Sequence, residues 1–186
     1  MAMSASTDAE LRSGDPDGFF EVIDDQLVEQ PPMGTESVWV VSRISYRLAT
    51  FVDEQANGTV VSEMLFTLRR APLLRRRPDV AFVSSDRWPL DRSIPRENGW
   101  EVVPDLAVEV VSPSDPFEDV LDRVHDFLKA GSALVWLVLP KLRQVYVYDG
   151  AASIRVLNDG DELDGGTVLP GFRCPIRSCF PPSVSE

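Results

Sequence analysis

Histidine and cysteine are scarce in this 186-residue sequence, which holds one histidine, His125, and two cysteines, Cys174 and Cys179. A lone histidine is a poor metal signal, and His125 lies off the apolar stripe of its helix, so it reads as structural. The cysteines have no further metal-type ligands around them and read as unpaired thiols of an intracellular protein. Long hydrophobic runs are missing too. No stretch approaches a membrane span, and the opening MAMSASTDAELRSGD has no apolar signal core, so a cytoplasmic protein without membrane contact is expected. Positive charge is in deficit: 18 Lys and Arg stand against 30 Asp and Glu, a net charge of −12. That repels polyanions and excludes extended non-specific nucleic-acid binding, while leaving room for a local basic groove.

What is present is ordinary for a soluble globular chain: 44% apolar and 26% charged residues, enough for one domain with a real core. Residues 1–18 are polar and read as a flexible N-terminal segment, and 19–180 as one domain. FFEVIDDQLVEQ (19–30) has the form of a small hairpin around Asp24-Asp25. Apolar residues then recur at Val38, Val41, Ile44, Leu48, Phe51 and Val52, which predicts a helix over 35–57, capped by Thr35 and ended by Gly58. TVVSEMLFTLRR (59–70) alternates and reads as one strand; PDVAFVS (78–84) is the next. A long loop follows over 85–104. In the capped helix 116–130, Asp115 is a good N-cap, Pro116 suits the first position, Phe117 joins the buried face, and Gly131 closes the helix. LVWLVL (134–139) reads as a central strand, QVYVY and ASIRVL as a further hairpin, and the tail through LPGFRCPI shows no periodicity. The order predicts an α/β fold, a mixed central β-sheet flanked by helices, with a right-handed parallel unit over 105–139.

The chemistry concentrates in DLAVEVV (105–111). Leu106, Val108 and Val110 share one strand face; Asp105, Ala107, Glu109 and Val111 share the other. A strand apolar on both faces belongs inside a covered sheet, so Glu109 is a carboxylate that needs a partner or a metal. Asp79 opens the preceding strand. If the strands are neighbours, two carboxylates with main-chain carbonyls and waters make a hard oxygen site suited to Mg²⁺ or Mn²⁺. Asp105 is either a third ligand or a cap for the long loop. The alternatives are a solvated turn acid for Asp79 and a structural ion pair for Glu109.

The segments FFEVIDDQLVE, RPDVAFVS, PDLAVEVVSPSD, DVLDRVHDFLKAG and ALVWLVLP, in that order and spacing, resemble a family of small restriction-endonuclease-like proteins of the PD-(D/E)xK nuclease superfamily. The resemblance runs from about residue 19 to about residue 175. It implies a restriction-endonuclease-like core and a Mg²⁺- or Mn²⁺-dependent endonuclease acting on DNA. It makes Asp79 and Glu109 the motif acids and metal ligands, and places Glu21 near the same cation. The sequence departs from the pattern where a lysine is expected two residues beyond the glutamate: Val111 stands there. The position on the following helix that can take over carries Arg123. Arginine stays protonated and cannot serve as a general base, though it can hold a phosphate; alternatively Arg123 pairs with Asp119 one turn away. A protein that keeps the nuclease fold but binds without cutting is therefore the rival reading.

Two partner expectations complete the reading. Arg69, Arg70, Arg75, Arg76 and Arg77 form a dense basic run that either lines a path for DNA phosphates or is a solvated edge. A homodimer is expected because a domain this small must reach both strands of a duplex, with Trp88, Trp100 and the loop between them as the exposed apolar surface.

Overall fold

Two buried strands set the architecture: β7 (Leu106–Val110), buried throughout, and β8 (Leu134–Leu139), buried up to Val138, run parallel, joined by helix α2 (Phe117–Ala130). The computed structural model describes residues 19–96, 99–113, 115–150 and 153–182. The N-terminal segment 1–18 and its expected flexibility lie outside the described residues. Around β7 and β8 a six-stranded mixed sheet has the order β10-β9-β8-β7-β6-β3, completed by β3 (Gly58–Ser62), β6 (Val80–Ser84), β9 (Gln144–Asp149) and β10 (Ile154–Leu157). Its other pairings are antiparallel.

Strand alternation divides the core into two layers. Leu106, Val108 and Val110 face helix α1 (Thr35–Gln55) and its Val40, Val41, Ile44, Leu48 and Val52. Ala107, Val135 and Leu137 face α2 through Val120, Val124 and Phe127. Each such side chain larger than alanine contributes about 1.5–3 kcal/mol by burial, so both helices are held by packing. The expected α/β class with helices on both faces is the class observed.

A second sheet of four strands, β2-β1-β5-β4, lies beside the first. It contains the expected hairpin, β1 (Phe20–Ile23) and β2 (Gln26–Glu29), whose turn holds Asp24 and Asp25 at φ 50° and 64°. That is the left-handed geometry a two-residue hairpin requires and aspartate tolerates. The expected strand 59–70 is in fact two. It breaks at Glu63, φ 54°, so that β3 pairs with β6 in the large sheet and β4 (Phe66–Arg70) pairs with β5 (Leu73–Arg76) in the small one. The tail also differs from the expectation. β11 (Glu162–Gly165) and β12 (Leu169–Pro175) form a hairpin that lays Leu163, Leu169, Phe172 and Cys174 against the α1 layer.

Several local expectations change. Gly34, not Thr35, holds the N-cap position of α1, and Ala56 ends the helix in left-handed geometry. Gly58 opens β3 instead; a Cβ there would lie 2.4 Å from the Val83 carbonyl oxygen, so the close approach to β6 requires glycine. At α2 the N-cap is Pro116, while the Asp115 carboxylate accepts from the Ser112 backbone N–H at 2.9 Å. Val38 and Phe117, expected in the core, are exposed. Trp88 and Trp100 are buried in a third cluster with Phe66, Ala81 and Val83, Trp100 stacked on Phe66 and edge-on to Trp88. The two tryptophans are therefore not the exposed surface expected for a dimer contact, while Leu90 and Ile94 of the loop between them are exposed.

Candidate active site

Strand register brings the two motif carboxylates together. β6 and β7 pair with Val80 opposite Val108, so Asp79, one residue before β6, falls opposite Glu109. Asp79 Oδ2 accepts the Val110 backbone N–H at 2.5 Å, which fixes its carboxyl against β7. Both residues line a cavity of about 300 Å³ together with Glu21, Glu63, Asp115 and Arg123. The rest of its lining is more apolar and includes Phe19, Pro31, Pro32, Met33 and Val38.

Arg123 reaches the cavity from the first half of α2. Its Nε donates to Glu109 Oε2 at 2.8 Å, and its Nη2 lies 3.7 Å from Asp115 Oδ2. These partners replace the alternative pairing with Asp119. Glu109 is only 3% exposed, and its second oxygen, Oε1, is buried without a hydrogen-bond partner among the described residues. A native carboxylate oxygen rarely stays unsatisfied, because the lost solvation costs about 1–3 kcal/mol or more.

Glu21 is held by a different cation. Its Oε2 accepts from Arg76 Nη1 at 2.7 Å and from Gln30 Nε2 at 3.2 Å, and its Oε1 accepts from the Arg77 backbone N–H at 2.8 Å. Arg76 also donates through Nε and Nη2 to Asp126 Oδ2, at 2.9 and 2.7 Å. Glu21 therefore borders the cavity as part of a satisfied ion network.

Charge is costly here. Burial pushes the Glu109 carboxyl well above the ordinary glutamate range; Arg123 opposes the rise, while Asp79 and Glu21 add to it. Burial also raises Asp79, to about 7, against the Val110 N–H and Arg123, with Asp115 and Glu63 pushing it further up. Burial alone would depress Arg123, but Glu109, Glu21 and Asp115 lift it above the usual arginine value, so it is a permanent cation.

Asp105 does not join this site. It sits before the opposite end of β7 from Glu109, four residues away, or about 13 Å along a strand. There Oδ1 pairs with Arg87 Nε at 2.8 Å and Oδ2 accepts the Ser84 N–H at 2.8 Å. It ties the long loop to β6, the second of its two expected roles. The basic run also departs from the DNA-path expectation. β5 is an inner strand, and Arg75 and Arg76 are each 6% exposed. Arg69 pairs with Asp24, Arg70 with Glu101 at 2.9 Å, Arg75 donates to Thr67 Oγ1 at 3.1 Å, and Arg76 pairs as above. Of the five, Arg77 reaches the cavity, with its guanidinium 5.3 Å from the Phe19 ring centroid.

Asp115, Glu63 and Asp126 are the polar groups that sequence reasoning missed. Asp126 carried no local signal, because its partner Arg76 lies 50 positions away on another element. Glu63 carried none, because its place follows from the break between two sheets. The chain's two lysines, Lys129 and Lys141, are exposed and outside the cavity lining, so no lysine replaces Arg123.

A divalent cation fits the carboxylates present. Among the described residues no group of three or more His, Cys, Asp or Glu forms a metal cluster. A cation here would take the Asp79 and Glu109 oxygens as protein donors and would leave the remaining coordination to water and main-chain oxygen, as Mg²⁺ commonly accepts. The unsatisfied Glu109 Oε1 is the observation that makes the fit physical.

Comparison with known proteins bears on the fold and the family. No curated protein matches the chain. Among solved structures, the crystal structure of a putative nuclease belonging to DUF820 from Anabaena variabilis ATCC 29413 superposes with a TM-score of 0.74 at 20% identity, covering 87% of this chain and 89% of that one. At that identity the likeness shows the fold. A family model, Uma2, described as putative restriction endonuclease, matches residues 9–177. With that match spanning most of its length, the chain belongs to the Uma2 family of putative restriction endonucleases.

Proposed function

We propose that the protein is a divalent-metal-dependent endonuclease that hydrolyses DNA phosphodiester bonds in the cavity between β6, β7 and α2. The observation that carries this reading is the placement of Asp79 and Glu109 across one strand pair, with an unsatisfied buried oxygen on Glu109. In hydrolysis, a water oxygen bonds to phosphorus, one phosphorus–oxygen ester bond breaks, and the departing oxygen takes up a proton. A bound Mg²⁺ or Mn²⁺ supplies Lewis-acid polarisation and charge compensation for such a step. Asp79 and Glu109 hold the cation, with the Val110 N–H keeping the Asp79 carboxyl in place. Arg123 cannot accept a proton and orients a non-bridging phosphate oxygen from the α2 side. Glu21 acts at one remove, by holding Arg76 and the start of the Arg77 segment at the cavity edge.

The same geometry gives the rival reading its footing. Arg123 is already engaged with Glu109, and no lysine reaches the cavity, so a chain that binds nucleic acid or a protein partner without cutting it is the second reading. Two copies are needed for a double-strand cut and one for a single-strand cut, and a homodimer belongs to the first case.

Incubation with Mg²⁺ or Mn²⁺ and supercoiled, linear or single-stranded DNA tests both readings. Cleavage that disappears in EDTA and in the Asp79→Asn chain supports the nuclease. Binding without cleavage under any metal condition overturns it in favour of the rival.

A further inference from the structure

The outer face of α1 carries an unusual combination for so acidic a chain. From Ser37 to Val52 the helix has no acidic residue and two arginines, Arg43 and Arg47, in a protein of net charge −12. The inner face packs through Val40, Val41, Ile44, Leu48 and Val52. The outer face leaves Val38 46%, Trp39 36% and Tyr46 66% exposed. Trp39, Arg43 and Tyr46 follow one another at helical spacing, and the Arg43 guanidinium lies 5.5 Å from the Trp39 ring centroid. Trp88, Trp100 and Trp136 are buried, so Trp39 stands apart among the tryptophans.

This strip is continuous with the candidate active site. Val38 lines the cavity, and Trp39 is the next residue. Phe19 lines the same cavity and carries Arg77 over its ring. One arginine–aromatic pair thus lines the cavity, and a second begins at the residue after Val38. Trp39 and Tyr46 are seven residues apart, about 10 Å along the helix, roughly three steps of stacked bases at 3.4 Å each.

We propose that this face of α1 is a docking track for an unpaired nucleic-acid strand, whose bases stack on Trp39 and Tyr46 as the backbone enters the cavity. The inference rests on the nuclease reading and deepens it by naming the substrate form. Three arguments favour a single strand. In the run at Arg69–Arg77, Arg69, Arg70 and Arg76 are held in ion pairs and Arg75 and Arg76 lie buried on the inner strand β5, which leaves a duplex a narrow cationic surface there. Stacking needs unpaired bases and works in a protein whose overall field repels phosphates. A cation beside an exposed aromatic suits a polyanion carrying π-faces better than it suits an apolar protein partner.

The test is fluorescence anisotropy with an end-labelled 20-nucleotide single strand and the matching duplex, in EDTA so that nothing is cut. The track predicts at least ten-fold tighter binding of the single strand. Trp39→Ala and Tyr46→Ala should each weaken it about ten-fold or more, while Trp39→Phe retains most of the affinity. Arg43→Gln should weaken binding and lower the salt slope by roughly 0.7, the value for one phosphate of a single strand. Leu142→Ala, an exposed apolar residue elsewhere, should leave binding unchanged. Circular dichroism and melting curves establish that each variant is folded. Equal binding of duplex and single strand, or full affinity in folded Trp39→Ala, overturns the proposal. So does light scattering in which Trp39→Ala converts a dimer to a monomer, since a second copy then covers the strip. Trp39-dependent strand binding by a wild-type chain that never cuts supports the track and overturns the cleavage reading alone.

Discussion

Arg123 Nε donates to Glu109 Oε2 at 2.8 Å, while Glu109 Oε1 has no hydrogen-bond partner among the described residues. One oxygen of this carboxylate is bound to the fold and the other is unsatisfied by those residues. The pair joins α2 to β7 at the place where the cavity opens, so stability and site chemistry depend on the same two side chains.

Removing the cation should expose that dependence. Arg123→Met leaves Glu109 buried beside Asp79 with no guanidinium, and a broken buried pair typically costs about 3–5 kcal/mol. Because the Glu109 carboxyl is already raised in the folded chain, protonation relieves the loss. Urea denaturation should therefore show a large deficit at pH 8 that shrinks at pH 5. An equal deficit at both values would mean that lost packing, not a stranded charge, is responsible.

Asp79 sets the pH dependence of the fold. Its pKa rises from 3.8 to about 7 on folding, so the native chain keeps this proton to higher pH than the unfolded chain does. Stability from this group is thus greatest at the acid end of the interval, falls as pH rises through it, and levels off above about 7. Asp79→Asn removes that slope, and above pH 7 the variant should melt at or above the wild-type temperature. A variant with the wild-type pH profile would show that Asp79 does not titrate in this window.

Metal binding should separate the carboxylates by position. At a Mg²⁺ or Mn²⁺ concentration of 100 times Kd, the folded chain gains about 2.7 kcal/mol. Asp79→Asn and Glu109→Gln should each abolish this gain in a thermal-shift titration. Asp105→Asn should keep it in full while losing about 1–3 kcal/mol of baseline stability, because its carboxylate holds Arg87 and the Ser84 N–H. Loss of metal binding in Asp105→Asn alone would return that residue to the site.

The Glu21–Arg76–Asp126 network should behave as structure. Arg76→Met strands Glu21 and leaves Asp126 short of its two donated bonds, for a loss of about 3–5 kcal/mol. Chevron or equilibrium denaturation measures it directly. A near-neutral result would show that water replaces the guanidinium.

The sequence by itself determined the central frame. The doubly apolar runs of β7 and β8, with an amphipathic helix between them, admit one parallel unit buried on both faces, and α1 and the first hairpin follow from equally local patterns. The two acids were legible as candidates on successive strands, and their opposition follows once β6 and β7 pair antiparallel with Val80 opposite Val108. Tertiary structure alone decided what each charge does. Arg76 finds Glu21 and Asp126, 55 and 50 positions away, and nothing in a run of arginines distinguishes such a residue from one that awaits a phosphate. The same limit hid the burial of Trp88 and Trp100, the sheet change at Glu63 and the separation of Asp105 from Glu109. Periodicity reports which face of an element is covered; which distant element covers it, and with what charge, is settled only when the chain has closed on itself.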